Sequence, residues 1–220
     1  LTDKRGRVRN REALILRKTG AQVRSTRITY LAPKAVRELT FLSKDYLQVT
    51  RSDERWLYIP AVGKVRRIPA SSRGDYFLGT DFTFEDMQSD LKFNLQDYNF
   101  TYADKVDYAS RPAHKISGLP VSKKVARQLG YGRFSAIVDE QTWFPLKIEF
   151  FDVKDKPLKT VVVDGLKKVD NYWTPTTIQA SNHRSGHTTL FEYIQVEHPE
   201  QLGANLFAAQ ELTRGLPRQW

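Results

Sequence analysis

The chain has 220 residues, no cysteine, four histidines and a formal net charge of +10, from 35 Lys and Arg against 25 Asp and Glu. The absence of cysteine excludes disulfides, thiolate nucleophiles and cysteine-ligated metals. No stretch approaches the roughly 18 consecutive apolar residues of a membrane-spanning helix. A chain of this length forms one sizeable domain or two small ones.

The positive charge is concentrated in the first third of the chain. Residues 1–73 hold 18 Lys and Arg against 6 Asp and Glu, a net charge of +12, whereas residues 74–220 hold 17 against 19, a net charge of −2. Such an excess can bind the phosphates of nucleic acid, anionic lipid head groups or an acidic protein, and it is equally compatible with a solvated basic surface. Charge alone does not separate these alternatives.

The first part of the chain predicts a polar arm followed by strands. Residues 1–10 are rich in Lys and Arg and hold too few apolar residues to pack, so we expect a disordered arm there and a single domain over residues 11–220. Strand-like patterns separated by short turns then follow. They cover residues 11–18, 23–31, 36–43 and 46–51.

A central hairpin leads into a short helix. Strand-favouring residues at 56–59 and 65–68 flank Gly63, which indicates a β-hairpin. Thr83 begins a helix-like segment as its N-cap. A second helix is predicted between Pro120 and Gly132, where apolar residues recur at helical spacing and Ser122 can act as the N-cap.

The last third of the chain has the strongest strand pattern. Extended runs cover residues 134–139, 144–152, 158–167, 172–182 and 187–197, and short turns separate them. The whole chain is therefore predicted as an α+β protein with one large curved antiparallel sheet, an open half-barrel of about ten or eleven strands. Short helices are expected to cover its concave face. Two short helices cannot seal so wide a sheet, which leaves room for a cavity, although a filled core is the alternative.

No catalytic or metal-binding pattern stands out. His183 and His187 have a spacing that suits a metal site on a helix, but Arg184, Ser185 and Gly186 between them indicate a hairpin turn. Glu85 and Asp86, with Asp81 nearby, could be read as paired acids for hydrolysis, but capping and solvation of a helix start explain them. We therefore predict no catalytic residue, no metal, no cofactor and no enzymatic activity.

Several motifs resemble, in order, the LolA-like family of outer-membrane lipoprotein-sorting proteins. They are R-W-L-Y-I-P-A, R-R-I, G-x-D-F, E-D, TWFPLKIEFFD, the Lys159-Thr160 pair, YWTPTTIQ, GHTTLFEYIQVE and Asn205-Leu206-Phe207. Each motif is short, but the ordered set spans most of the chain from about Val23 to Leu212. The resemblance implies a periplasmic carrier, exported with its signal peptide removed, that moves something lipidic toward the outer membrane.

The resemblance favours a hydrophobic cavity over a filled core. The ligands would be acyl chains of a lipid or lipoprotein, and a membrane-associated donor or acceptor protein would be the partner. Arg66 and Arg67 are expected to dock on a membrane or partner. We expect a monomer with no specific nucleic-acid binding. The alternative is a sensor or interaction protein of the same fold that recognises envelope lipoproteins or misfolded proteins without transporting them. In the strand 144–152, Phe144, Leu146, Ile148 and Phe150 share one face, opposite Lys147 and Glu149, and this apolar face is expected to point inward. The predicted lining of the cavity consists of Trp56, Tyr58, Phe77, Phe144, Leu146, Ile148 and Phe150.

Overall fold

The computed structural model describes residues 1–48, 51–89, 91 and 93–216. These residues form antiparallel strands with two short α-helices and several 3-10 helices. The predicted predominance of antiparallel strands is confirmed. No helix within the described ranges is long and apolar enough to cross a membrane.

The chain divides into two compact units. Unit 1 comprises Leu1–Val8 and Ser71–His198, and unit 2 comprises Arg9–Ala70 and Pro199–Trp220. Unit 2 carries 16 Lys and Arg against 7 Asp and Glu, a net charge of +9, whereas unit 1 carries 19 against 18. The basicity of the chain therefore belongs almost entirely to unit 2. The sequence predicts a single domain over residues 11–220, and this stays a prediction.

Unit 2 contains a five-stranded antiparallel sheet in which the strands follow chain order. One face packs against two 3-10 helices near the C-terminus, Ala204–Phe207 and Ala209–Arg214, through an apolar core that includes Leu42 and Leu206. The buried Arg27 fastens this segment, because its guanidinium donates to the carbonyls of Leu206 (3.1 Å) and Gly215 (2.9 Å). Its strands are β1 (Glu12–Thr19), β2 (Val23–Ala32), β3 (Thr40–Tyr46), β4 (Glu54–Ile59) and β5 (Lys64–Arg67).

Unit 1 contains a seven-stranded antiparallel sheet and a two-stranded ribbon, β11 (Lys167–Val169) with β12 (Tyr172–Thr174). The strands of the large sheet are β6 (Tyr98–Tyr108), β7 (Arg111–Pro120), β8 (Arg133–Asp139), β9 (Pro145–Phe151), β10 (Pro157–Asp164), β13 (Thr177–Asn182) and β14 (Thr188–Glu192). Their order in the sheet is β14-β13-β10-β9-β8-β7-β6. The first residues of the chain, expected to be disordered, instead contact the β14 edge through Thr2.

Both predicted helices are present and begin at the predicted caps. In α1 (Phe84–Ser89), the N–H of Thr83 donates to the carboxylate of Asp86 (2.6 Å), and the N–H of Asp86 donates to the Thr83 hydroxyl (3.2 Å). This reciprocal pair is a capping box, which satisfies N–H groups that a helix start leaves open. In α2 (Lys123–Leu129), Ser122 accepts the N–H of Val125.

Three predictions about the strands are wrong. The run expected at 172–182 is two strands, β12 and β13, which belong to different sheets. Strands were expected at 36–43 and 46–51, on either side of Lys44-Asp45, but β3 runs through both of these residues, which pair with β2 without a break. Residues 49 and 50 of the second predicted strand lie outside the described residues. The single sheet is also wrong, since the described strands form three sheets. The segment from Ile68 to Asp97 contributes no strand among its described residues, so the ladder stops at β5 and a second ladder starts at β6.

Candidate ligand-binding site

A row of aromatic side chains crosses the buried face of the seven-stranded sheet. The register places Phe100 opposite Gly118, Gly118 opposite Phe134, and Phe134 opposite Phe150, so these residues share one face. Gly118 makes room for this row, because a Cβ there would lie 2.2 Å from the ring of Phe134. Phe93 stacks on Phe134 with ring centroids 3.8 Å apart. The face is therefore apolar and closely packed.

The strand predicted to line the cavity lies in this packed region. Leu146, Ile148 and Phe150 are only 4%, 1% and 4% exposed, and Phe150 stacks on Tyr131 with centroids 4.2 Å apart. A void of about 20 Å³ lies beside them, enough for about one water molecule. Its lining consists of Glu85, Asp86, Leu91, Phe93, Asn94, Tyr98, Tyr131 and Phe150. Unit 1 in this state therefore holds a small void beside α1 and not an open acyl-chain cavity at these residues.

A buried ion pair fastens α1 to the sheet. The ammonium group of Lys159, whose side chain is fully buried, donates to the carboxylate of Asp86, and also lies 3.4 Å from the carbonyl of Asp81. The hydroxyl of Tyr131 donates to the same carboxylate (3.3 Å). Burial lowers the pKa of Lys159, against the opposing effect of Asp86. Burial also raises the pKa of Tyr131 far above its ordinary value.

A second charged cluster joins Glu85 of α1 to Arg73 and Asp97. The guanidinium of Arg73 donates to both carboxylate oxygens of Glu85 (2.8 and 2.9 Å) and to Asp97 (2.5 Å). Burial disfavours the charged form of Arg73, but the hydrogen bonds and charges of Glu85 and Asp97 outweigh that effect and raise its pKa. The lining of the void therefore combines two carboxylates that are paired with buried cations, Glu85 and Asp86, with four aromatic side chains.

The other predicted site residues fall in both units. Phe77 is fully buried in unit 1 and packs edge-on against Phe84, and Phe144 is half-buried just before β9. Trp56 and Tyr58 belong to unit 2, where both join the core beneath the C-terminal 3-10 helices. The structure therefore brings Phe77 and the β9 residues into one unit and places Trp56 and Tyr58 in the other. Their role in ligand binding stays a prediction.

The two arginines predicted to dock on a membrane or partner are solvent-exposed on β5, the edge strand of unit 2. Arg67 lies 3.4 Å from Glu54, and both side chains are accessible to solvent. Exposed pairs of this kind contribute at most about 1 kcal/mol to stability. These arginines are therefore available for an external anionic surface.

Sequence reasoning overlooked the inward position of Lys159. Lys159, Val161 and Val163 occupy every second position of β10, so they share one face, and all three are buried. A lysine in phase with two valines on an apolar face requires a buried counter-charge. The shared face of Lys159 and the two valines was therefore a signal, visible in the sequence, that Lys159 has a buried acidic partner. Asp86, already noted at the helix start, was a candidate for that partner.

A larger, polar cavity of about 560 Å³ opens at the end of the β6-β7 hairpin. Two ion pairs bracket it: Arg111 with Asp139 (2.5 Å) and Lys105 with Glu140 (2.7 Å). The hydrogen bond from Arg111 lowers the pKa of Asp139 to about 2. Its charged groups are already paired with one another, and this cavity is unsuited to an acyl chain. It is lined by Lys105, Ser110, Arg111, Pro112, Asp139, Glu140 and Gln141.

The fold is that of the LolA superfamily and of lipoprotein-sorting domains. A structure described as an outer membrane lipoprotein-sorting protein domain from Vibrio parahaemolyticus is similar with a TM-score of 0.83 and 25% identity, covering 93% of this chain and 84% of that one. A LolA superfamily protein from Nitrosomonas europaea is similar with a TM-score of 0.61 and 16% identity, covering 84% and 80%. At that identity, the second likeness concerns the fold alone.

A family model described as that of an uncharacterized protein matches residues 22–214. The match covers most of the chain, which therefore belongs to this family, DUF1329. A DUF1329 family protein from Desulfovibrio piger has a TM-score of 0.84 and 24% identity, covering 94% of this chain and 85% of that one. The resemblance found in the sequence is thus confirmed. A comparison with curated proteins found no match.

Proposed function

We propose that this chain is a periplasmic carrier that binds acyl chains of a lipid or lipoprotein and passes them toward the outer membrane. The observation that carries the proposal is the likeness to a lipoprotein-sorting domain over 93% of the chain. The aromatic face beside α1 supports it, since each methylene buried there would contribute roughly 0.8 kcal/mol. Acyl chains are the ligand class that such a face suits best.

The acyl site would open by movement of the α1 segment. A void of about 20 Å³ is far smaller than the roughly 300 Å³ or more of a ligand pocket. A helix of six residues is not stable by itself, so α1 keeps its place through contacts such as those of Asp86 with Lys159 and Phe84 with Phe77. When these contacts separate, the chain would enter between Phe93, Tyr131 and Phe150.

Docking would use the charge of unit 2. Its net charge of +9, with Arg66 and Arg67 exposed on an edge strand, suits an anionic membrane or an acidic donor or acceptor protein. Electrostatic attraction of this kind speeds encounter and weakens with salt. The carrier would therefore use unit 1 for the apolar ligand and unit 2 for the charged surface.

The test begins with protein purified from its native envelope, whose bound lipids are extracted and analysed by mass spectrometry. A titration with the fluorescent fatty acid cis-parinaric acid then compares wild type with Phe150→Ala and with Ile178→Ala, which truncates a buried residue of the same sheet away from the void. We expect Phe150→Ala to weaken binding about tenfold or more and Ile178→Ala to leave it nearly unchanged.

Other outcomes of this test would contradict the carrier. A lipid-free protein that co-purifies with an envelope protein and shows no saturable fatty-acid binding would favour the sensor. Turnover in a broad esterase screen would favour an enzyme.

A further inference from the structure

The two edges of the seven-stranded sheet differ. At the β14 edge, the N–H of Thr2 donates to the carbonyl of Thr188 (2.7 Å) and the N–H of Thr188 donates back to Thr2 (2.9 Å). At the β6 edge, no strand of the described residues pairs on the outer side, and residues 99–105 are all exposed. An exposed edge strand is a template for pairing with another chain. The β14 edge thus carries a bridge from this chain at Thr188, and the β6 edge is open over most of an 11-residue strand.

The register shows which backbone groups point outward. Residues of an antiparallel pair alternate between hydrogen-bonded and non-hydrogen-bonded positions. Tyr98 lies opposite Pro120, which has no N–H and cannot complete a hydrogen-bonded pair. The preceding pair agrees, since the N–H of Val121 donates to the carbonyl of Asp97 (2.9 Å). Tyr98 and every second residue after it therefore direct their N–H and C=O away from β7, toward the open edge.

The side chains of this edge alternate as well. Phe100 and Tyr102 lie on the apolar face of the sheet and are 37% and 59% exposed, whereas Asn99 and Thr101 lie on the opposite face. Phe100 and Tyr102 thus supply both outward backbone groups and exposed aromatic rings. A strand added here would place every second side chain against these rings.

The part of β6 that is open to the addition of a strand ends at a bulge. The pairing of β6 with β7 shifts register between Tyr102 and Asp104, so Ala103 is left out of the ladder. Asp104 and Lys105 follow, and bulges and charges of this kind discourage pairing along an edge. The uninterrupted stretch is therefore residues 98–102.

We propose that residues 98–102 of β6 bind an extended peptide segment with apolar residues at alternate positions, by addition of a strand to the open edge. Main-chain hydrogen bonds would provide affinity, and the rings of Phe100 and Tyr102 would select the alternate apolar side chains. The proposal goes beyond lipid carriage and does not depend on it.

The size of the edge favours a peptide over a second copy of this chain. A stable interface between folded proteins involves roughly 20–30 residues a side. The stretch before the bulge offers five, which suits a short extended segment. The bulge and the following charges stop two copies of β6 from pairing over their full length.

The experiment uses an array of octapeptides in which Val, Ile, Leu or Phe alternate with Thr or Lys, beside peptides of the same composition in block order. The best alternating peptide is then titrated into the full chain by fluorescence anisotropy. Phe100→Ala removes the ring alone, whereas Phe100→Pro also removes the outward N–H without touching the ladder to β7. Thr101→Ala is the matched control on the opposite face.

We expect alternating peptides to bind and block-order peptides not to bind. Phe100→Ala should weaken binding several-fold, Phe100→Pro about tenfold or more, and Thr101→Ala hardly at all. NMR amide exchange on wild type gives a readout that needs no variant. The N–H groups of Phe100 and Tyr102 should be protected by the peptide, while that of Thr101, already in the ladder, should not change.

Three results would overturn the proposal. The first is peptide binding without the expected specificity, seen either as no preference for alternating peptides or as unchanged affinity in a folded Phe100→Pro variant. The second is a wild-type dimer in sedimentation that Phe100→Pro dissociates, which would assign the edge to a second copy. The third is vesicle binding lost in Phe100→Ala without peptide protection of the edge amides, which would assign the rings to a lipid surface.

Discussion

Replacing Lys159 by Met tests whether α1 is held by the buried ion pair. The substitution keeps the length of the side chain but leaves the buried carboxylate of Asp86 without its counter-charge, with only the N–H of Thr83 and the hydroxyl of Tyr131 as donors. Breaking a buried pair in this way costs about 3–5 kcal/mol of unfolding free energy. The loss should concern unit 1.

A second substitution separates lost charge pairing from lost packing. Asp86→Asn, added to Lys159→Met, removes the uncompensated charge and keeps an oxygen that can accept from Thr83. We expect the double variant to be more stable than Lys159→Met by about 1–3 kcal/mol. Lys147→Met is the matched control, because Lys147 on neighbouring β9 makes an exposed pair with Glu149 (2.9 Å) and should change stability by less than about 1 kcal/mol.

Urea unfolding, followed by tryptophan fluorescence, measures these free energies, and amide exchange in α1 and β10 locates the change. The single Asp86→Asn variant completes a double-mutant cycle. If the two substitutions add without coupling, Asp86 and Lys159 do not stabilise each other and the ion pair does not hold α1. A loss as large for Lys147→Met would point to a general effect of removing lysine.

Three further predictions concern surface charge, pH and backbone packing. Arg66→Glu with Arg67→Glu should weaken sedimentation with anionic vesicles, most strongly at low salt, with little change in melting temperature; equal binding at every ionic strength would contradict this. Asp139→Asn should cost about 1–2 kcal/mol of unfolding free energy at neutral pH. The pKa of Asp139 is about 2 in the folded protein against 3.8 for an ordinary Asp, so the charged carboxylate stabilises the fold at pH values above 3.8. That difference should vanish as the pH falls through about 2 in urea titrations, and a pH-independent difference would refute it. Gly74→Ala should destabilise by about 1–3 kcal/mol in thermal unfolding, since its Cβ would lie 2.5 Å from the backbone of Leu129, and an unchanged melting temperature would show that this contact relaxes.

Local signals predicted the local structure well. Thr83 and Ser122 were predicted as caps because Ser and Thr satisfy helix N–H groups from a fixed position in sequence, and both do so. The alternation of Leu146, Ile148 and Phe150 likewise predicted their shared buried face. These features depend on residues within a few positions of one another.

What the sequence did not reveal depends on contacts between distant segments. The chain forms separate sheets because no strand lies between β5 and β6 among the described residues. The alternation of side chains within β5 or β6 does not reveal this. The pair formed by Lys159 and Asp86 joins residues 73 positions apart. Similarly, strand alternation gives the facing of Phe150 but not the tight stacking of Tyr131 on it, so cavity and core could not be told apart.

Unit 2 joins two segments that are distant in sequence, Arg9–Ala70 and Pro199–Trp220. Leu16, Leu42 and Tyr58 share an apolar core with Leu206 and Phe207, which come much later in the sequence. Bringing these segments together closes a loop of more than a hundred residues, at an entropic cost of roughly 4 kcal/mol. In a folding chain, the apolar face of the five-stranded sheet therefore stays exposed until the later segment has packed on it. During that interval this sheet is the part of unit 2 most exposed to aggregation.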